Sequence, residues 1–238
     1  VAGPFNRKGD TGIAPAESVA VVSSSQISQQ ATVPVRAFAG WIAVCAWAGL
    51  ALQTHVTMTV RLPAGAGLVD AAVHLSSFFT IWTNLVLAIA MTASAACARL
   101  GASPYGALTT YIVAVGLIYW LVLSRQWQLS GLPLLADSLL HYIGPSLTAV
   151  FWVTCAPKAP LHWRDPLVWM AFPLTYGVVA MVRGAFTGIY PYPFLQVPEI
   201  GMGQALINLV LLACVFGLLG ALLVGCARIL NRSRTAPA

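Results

Sequence analysis

The chain has 238 residues, 59% of them hydrophobic and only 8% charged, with a mean hydropathy of +0.82. Soluble domains average about 25% charged residues, so a water-soluble catalytic domain is excluded and any chemistry must sit within a membrane bundle or at its rim. The net charge of +6 would suit nucleic acid, but the placement of the basic residues argues against a nucleic-acid partner.

Residues 1–35 are rich in Ser, Gln, Ala and Val, with Pro4, Pro15 and three early glycines, and carry no apolar run. This composition predicts a disordered tail, and the apolar core of a signal peptide is missing. Six stretches then approach the ~20 residues a bilayer span needs: 38–58, 74–98, 107–124, 136–155, 166–182 and 203–226. The expected fold is an all-α membrane protein, with six transmembrane helices over 36–228 and a short basic tail over 229–238. With the N-terminus inside, the inner segments hold Arg7, Lys8, Arg36, Arg99, Lys158, Arg164, Arg228, Arg232 and Arg234. The outer ones hold Arg61, Arg125 and Arg183. This asymmetry puts both termini in the cytoplasm and the protein in the cell membrane. Cys45, Cys97, Cys155, Cys214 and Cys226 form no CxxC, so neither a metal nor a cofactor is expected from them. No internal repeat supports an inverted-repeat transporter.

The polar residues collect at one level. His55 closes the first span; His74, Thr80, Thr83 and Asn84 occupy the outer half of the second. Asp137 and His141 lie in the outer half of the fourth, Arg183 ends the fifth, and Asn208 lies about one and a half turns into the sixth. At ~1.5 Å per residue, Thr80 and His141 come to similar depths, roughly 8 and 9 Å. Asp137 and His141 are i and i+4 and share a helical face. Pro145 deprives the His141 carbonyl of its helical donor, which predicts a local kink. Ionisable residues inside spans face the bundle interior and mark functional sites; the alternative is a polar pair that only joins helices.

A threonine hydroxyl needs a base to become a nucleophile, and histidine suits that task near neutral pH. A carboxylate on the second ring nitrogen would fix the tautomer, although i to i+4 on one helix is not ideal geometry for that bond. Thr80 is the candidate nucleophile, with Thr83 as the rival hydroxyl, and Asn84 or Asn208 could supply an oxyanion donor. The loop RGAFTGIYPYPFLQVPEIG carries Tyr190, Tyr192 and Phe194 between prolines. It reads equally as an interfacial aromatic belt or as a lid, beneath which Arg183 would bind a lipid carboxylate or headgroup. No GxSxG elbow is present, which excludes an ordinary α/β-hydrolase.

The segments SSFFTIWTNLVLA, DSLLHYIGP and PLTYGVVAMVRGAFTGIYPYPFLQV resemble the bacterial six-span Pr6Pr membrane proteins over residues 36–228. That family is in turn similar to the eukaryotic androgen-induced membrane proteins, six-span hydrolases of branched fatty-acid esters. Those use a threonine nucleophile in the second span and a histidine in a later span, ahead of a proline. The resemblance therefore implies a lipid esterase with Thr80 and His141 in those roles and a membrane lipid or fatty-acyl ester as substrate. Two other readings of the same residues stand beside it. One is a non-catalytic binder of lipid, quinone or haem, with His55 and His141 as axial ligands. The other is a structural membrane protein.

Overall fold

The computed structural model describes residues 24–96, 100–126 and 128–235, and of 24–32 and 232–235 the backbone alone. Of the tail expected over 1–35, residues 1–23 lie outside this range, as do Arg7, Lys8, Cys97 and Arg99; the side chains of Arg232 and Arg234 do too. Every regular element among the described residues is helical, as an apolar solvent that cannot hydrogen-bond the backbone requires.

Helix α1 spans Ser24–Arg61, beginning inside the stretch read as a tail. A short α2 (Leu68–Leu75) precedes α3 (Phe79–Ala95), and α4 runs over Ala102–Ile118. A π-turn, Tyr119–Leu123, extends α4. Then come α5 (Gly131–Ser138), a second π-turn (Leu139–Ile143) and α6 (Gly144–Thr154), together one span. The next span joins α7 (Asp165–Trp169) to α8 (Ala171–Thr187). A loop with a 3-10 turn (Pro193–Leu195) and a short α9 (Val197–Ile200) leads to α10 (Met202–Thr235).

Five of these spans are long and apolar enough to cross a membrane, and six if α2 and α3 count as one. The second span is thus not the continuous helix expected over 74–98. It breaks at Ser76–Phe78, and α2 departs from α3 by 81°. Phe78 has extended backbone there, and the hydroxyls of Ser76 and Ser77 turn back onto the Val73 carbonyl. These bonds compete with helix continuation.

The main core lies among α1, α3, α4 and α6, around the fully buried Ile42, Leu87, Met91, Ile112, Leu140 and Phe151. A smaller aromatic cluster surrounds Phe79, whose ring meets Phe172, Tyr176 and Phe216 at centroid distances of 5.3, 5.0 and 5.5 Å. This cluster fixes the first residue of α3 and so the position of the residue after it, Thr80.

Candidate active site

The first turn of α3 meets the π-turn of the fourth span. In that turn the Gly144 amide bonds the Leu139 carbonyl, five residues back. The Leu140 carbonyl is thereby released from the helix, and Pro145 leaves the His141 carbonyl without its helical donor. Asn84, fully buried on α3, answers the first of these: its amide donates to the Leu140 carbonyl at 3.4 Å and to the Thr80 carbonyl at 2.9 Å. The kink expected at Pro145 is this widened turn, a feature frequent at functional sites.

The widened turn carries His141. Its Nδ1 lies 2.9 Å from Asp137 Oδ1, and its Nε2 lies 3.3 Å from Thr80 Oγ1. With the ring proton on Nδ1, imidazole donates to the carboxylate and accepts from the threonine hydroxyl. The i to i+4 pair thus makes a good bond after all. Asp137 is buried, and the side chains of His141 and Asp137 are 14% and 11% exposed, so water competes weakly for the three groups. Tyr119, on the π-turn of α4, stacks on the imidazole with centroids 3.8 Å apart and planes 14° apart, and its hydroxyl lies close to Asp137. The close approach needs Gly116: a Cβ there would lie 2.9 Å from the His141 carbonyl oxygen.

At the other side of Thr80, the Phe79 amide donates to the Tyr192 hydroxyl at 3.0 Å. The Thr80 side chain, the Thr80 amide and Tyr176 lie close to the same hydroxyl. The first amides of α3, which have no partner within the helix, are therefore gathered around the Tyr192 hydroxyl. Burial raises the Tyr192 phenol above the ordinary tyrosine range, so it stays neutral. Tyr176 donates to the Ser77 carbonyl at 2.5 Å, holding α8 against the break.

Thr80, His141, Tyr119 and Tyr192 share the wall of a cavity of about 440 Å³. The rest of the wall is almost wholly apolar, from Val115 and Ile118 on α4 to Leu209 and Phe216 on α10. Its size lies within the range of small-molecule sites, ~300–1,000 Å³. Tyr192, Phe194 and Leu195 cover one side of it, with the Tyr192 and Phe194 rings stacked at 5.0 Å. The loop thus forms part of a cavity wall.

Other expected site residues lie elsewhere. Thr83 is fully buried off the cavity and donates to the Phe79 carbonyl at 2.9 Å, which removes it as the rival nucleophile. Asn84 has both amide protons committed to backbone and is a brace for the π-turn, not an oxyanion donor. Asn208 donates to the Phe194 carbonyl at 2.8 Å and so anchors the covering loop to α10. Tyr190 packs its ring on Gly184 of α8, where a Cβ would collide with it, and does not line the cavity. Arg183 binds the Ser77 hydroxyl and lines a separate cavity. Both ring nitrogens of His141 are engaged and His55 stands exposed on α1, an arrangement that does not suit a pair of axial haem ligands. Tyr119 and Tyr176 were missed because an aromatic residue in an apolar span carries no signal distinguishing packing from hydrogen bonding.

Among protein-family models, curated proteins and solved structures, none matches this chain.

Proposed function

We propose that the chain is a multi-pass membrane hydrolase of lipid esters, with Thr80 as nucleophile, His141 as general base and Asp137 as the group that orients it. The observation that carries this reading is the Asp137–His141–Thr80 hydrogen-bond relay on the edge of an apolar cavity. A pair serving only to join helices would not need a third, hydroxyl member facing a cavity. The distant similarity of the Pr6Pr proteins to the androgen-induced hydrolases points to the same two residues, Thr80 and His141.

Thr80 Oγ gives its proton to His141 Nε2 and attacks the ester carbonyl carbon, while the hydrocarbon chain lies in the cavity. The carbonyl oxygen becomes an oxyanion facing the Phe79 and Thr80 amides, with the Tyr192 hydroxyl turned to donate as a third partner. Asp137 stabilises the imidazolium that forms. His141 then passes its proton to the departing alkoxide, which leaves an acyl-threonine. Water, deprotonated by the same nitrogen, attacks that ester, releases the fatty acid and restores Thr80. With the N-terminus inside, as the nine-to-three charge asymmetry indicates, this end of the bundle faces the outer leaflet and both termini are cytoplasmic.

A fluorophosphonate probe tests the reading on purified protein. Wild type is expected to be labelled at Thr80. Thr80→Ala and His141→Ala should each abolish labelling and cleavage of a long-chain ester, with the protein still recovered from the membrane. The double variant should lose little more than either single one. Normal labelling of Thr80→Ala sinks the mechanism; absence of labelling and cleavage in wild type leaves a lipid-binding role for the cavity.

A further inference from the structure

On the far side of α8 from the Thr80 cavity lies a second one, about 350 Å³, between α8 and the α2–α3 break. Its wall joins Val73, Trp82, Phe172 and Val179 to the polar Ser76, Ser77 and Arg183. The basic residues around this corner lie at or near the ends of three helices: Arg61 closes α1, His74 lies in the last turn of α2, and Arg183 stands one turn before the end of α8. Arg61 and Arg183 both lie within electrostatic reach of His74.

No carboxylate balances them among the described residues. Asp70, the acid of α2, accepts from the Gly67 amide and forms no ion pair. Arg183 spends one of its five N–H donors on a neutral hydroxyl, Ser77. The Arg61 Nε is sealed from solvent with no partner. A guanidinium at the edge of hydrocarbon needs an anion more than a hydroxyl, and a buried unsatisfied donor calls for an explanation.

The surroundings indicate what kind of anion. Val69, Val73 and Val179 are 75%, 45% and 57% exposed on the outer faces of α2 and α8. Trp82, 44% exposed, donates its indole N–H to the Ser76 carbonyl at 2.7 Å, as an interfacial tryptophan does. Cations at helix ends beside an outward apolar groove match the two parts of a lipid.

We propose that this corner binds the phosphate of an acidic phospholipid, with Arg183, Ser77 and Arg61 on the headgroup and an acyl chain along the Val73–Val179 groove. Binding there needs no catalysis, so it stands or falls apart from the hydrolase reading.

Native mass spectrometry of the full chain in detergent tests it, titrating phosphatidylglycerol against phosphatidylcholine of the same acyl composition. Wild type is expected to bind phosphatidylglycerol about tenfold more tightly, the worth of one good charge-assisted contact. Arg183→Gln, which keeps a donor for Ser77, and Arg61→Gln should each reduce that preference, and the pair should remove it. Thr80→Ala should leave it unchanged. Equal binding of the two lipids by wild type overturns the proposal without recourse to any variant. So does a preference that survives in the double variant. Displacement by millimolar inorganic phosphate with no contribution from the lipid chains would assign the corner to free phosphate, and an equal preference for oleate would assign it to a carboxylate; either overturns it as well.

Discussion

In the proposed mechanism Thr80 is a nucleophile only while His141 presents an unprotonated Nε2 to it, and the Asp137 carboxylate, 2.9 Å from Nδ1, favours that tautomer. Asp137→Asn keeps the size but can present an N–H to the ring, so turnover is expected to fall by about 10³–10⁴-fold, as when an orienting carboxylate is lost from a catalytic triad. Steady-state kinetics on a long-chain ester would check this, with the melting temperature as control. Tyr192→Phe keeps the ring and removes the hydroxyl; the rate should fall by about 10²-fold, the usual cost of one oxyanion donor, with KM little changed. Because burial raises that phenol, its donor is lost only above the ordinary range of about pH 10. An alkaline loss of activity at lower pH that disappears in Tyr192→Phe would contradict this role. The relay itself was legible in the sequence, since an acid and a histidine at i and i+4 must share a face and a threonine at matching depth is in reach. The asparagines were not: an amide in a span signals that it has partners without saying whether they are substrate or backbone, and both Asn84 and Asn208 bond backbone carbonyls.

At the scale of elements, two π-turns from different spans bring Tyr119 onto His141, and the contact depends on the missing side chain of Gly116. Gly116→Ala puts a methyl against backbone, which cannot rotate aside. A destabilisation of about 1–3 kcal/mol is expected, typical of overpacking. Fluorophosphonate labelling should fall more than stability alone explains, because the π-turn carries the proposed base. Thermal unfolding and labelling rate, measured together, separate the two effects. Proline at 145 announced a disturbance but not its form, since a missing N–H permits a kink or a widened turn alike. The break before α3 was not legible: Ser76, Ser77 and Phe78 include neither glycine nor proline, serines bond back to a carbonyl in unbroken helices too, and the bonds from Tyr176 and Arg183 to Ser77 are tertiary.

For the whole molecule, apolar spans and charge asymmetry were readable because hydropathy acts residue by residue, whereas cavities arise from which helices stay apart. The Thr80 cavity borders Ala213 on α10. Ala213→Trp should fill part of it and shift ester preference toward shorter acyl chains, which a chain-length series of substrates would reveal; an unchanged preference would put the chain elsewhere. A reporter active only outside the cytoplasm, fused to the C-terminus, should remain silent. Helix α8 has one face on each cavity: Gly177 and Met181 look toward the relay, while Thr175 and Val179 look toward the basic corner, and Tyr176 touches both. It is a shared partition, so a guest that displaces it on one side alters the room on the other. Thermodynamic linkage makes such an influence mutual: whatever factor a phospholipid applies to ester affinity, the ester must return to the phospholipid.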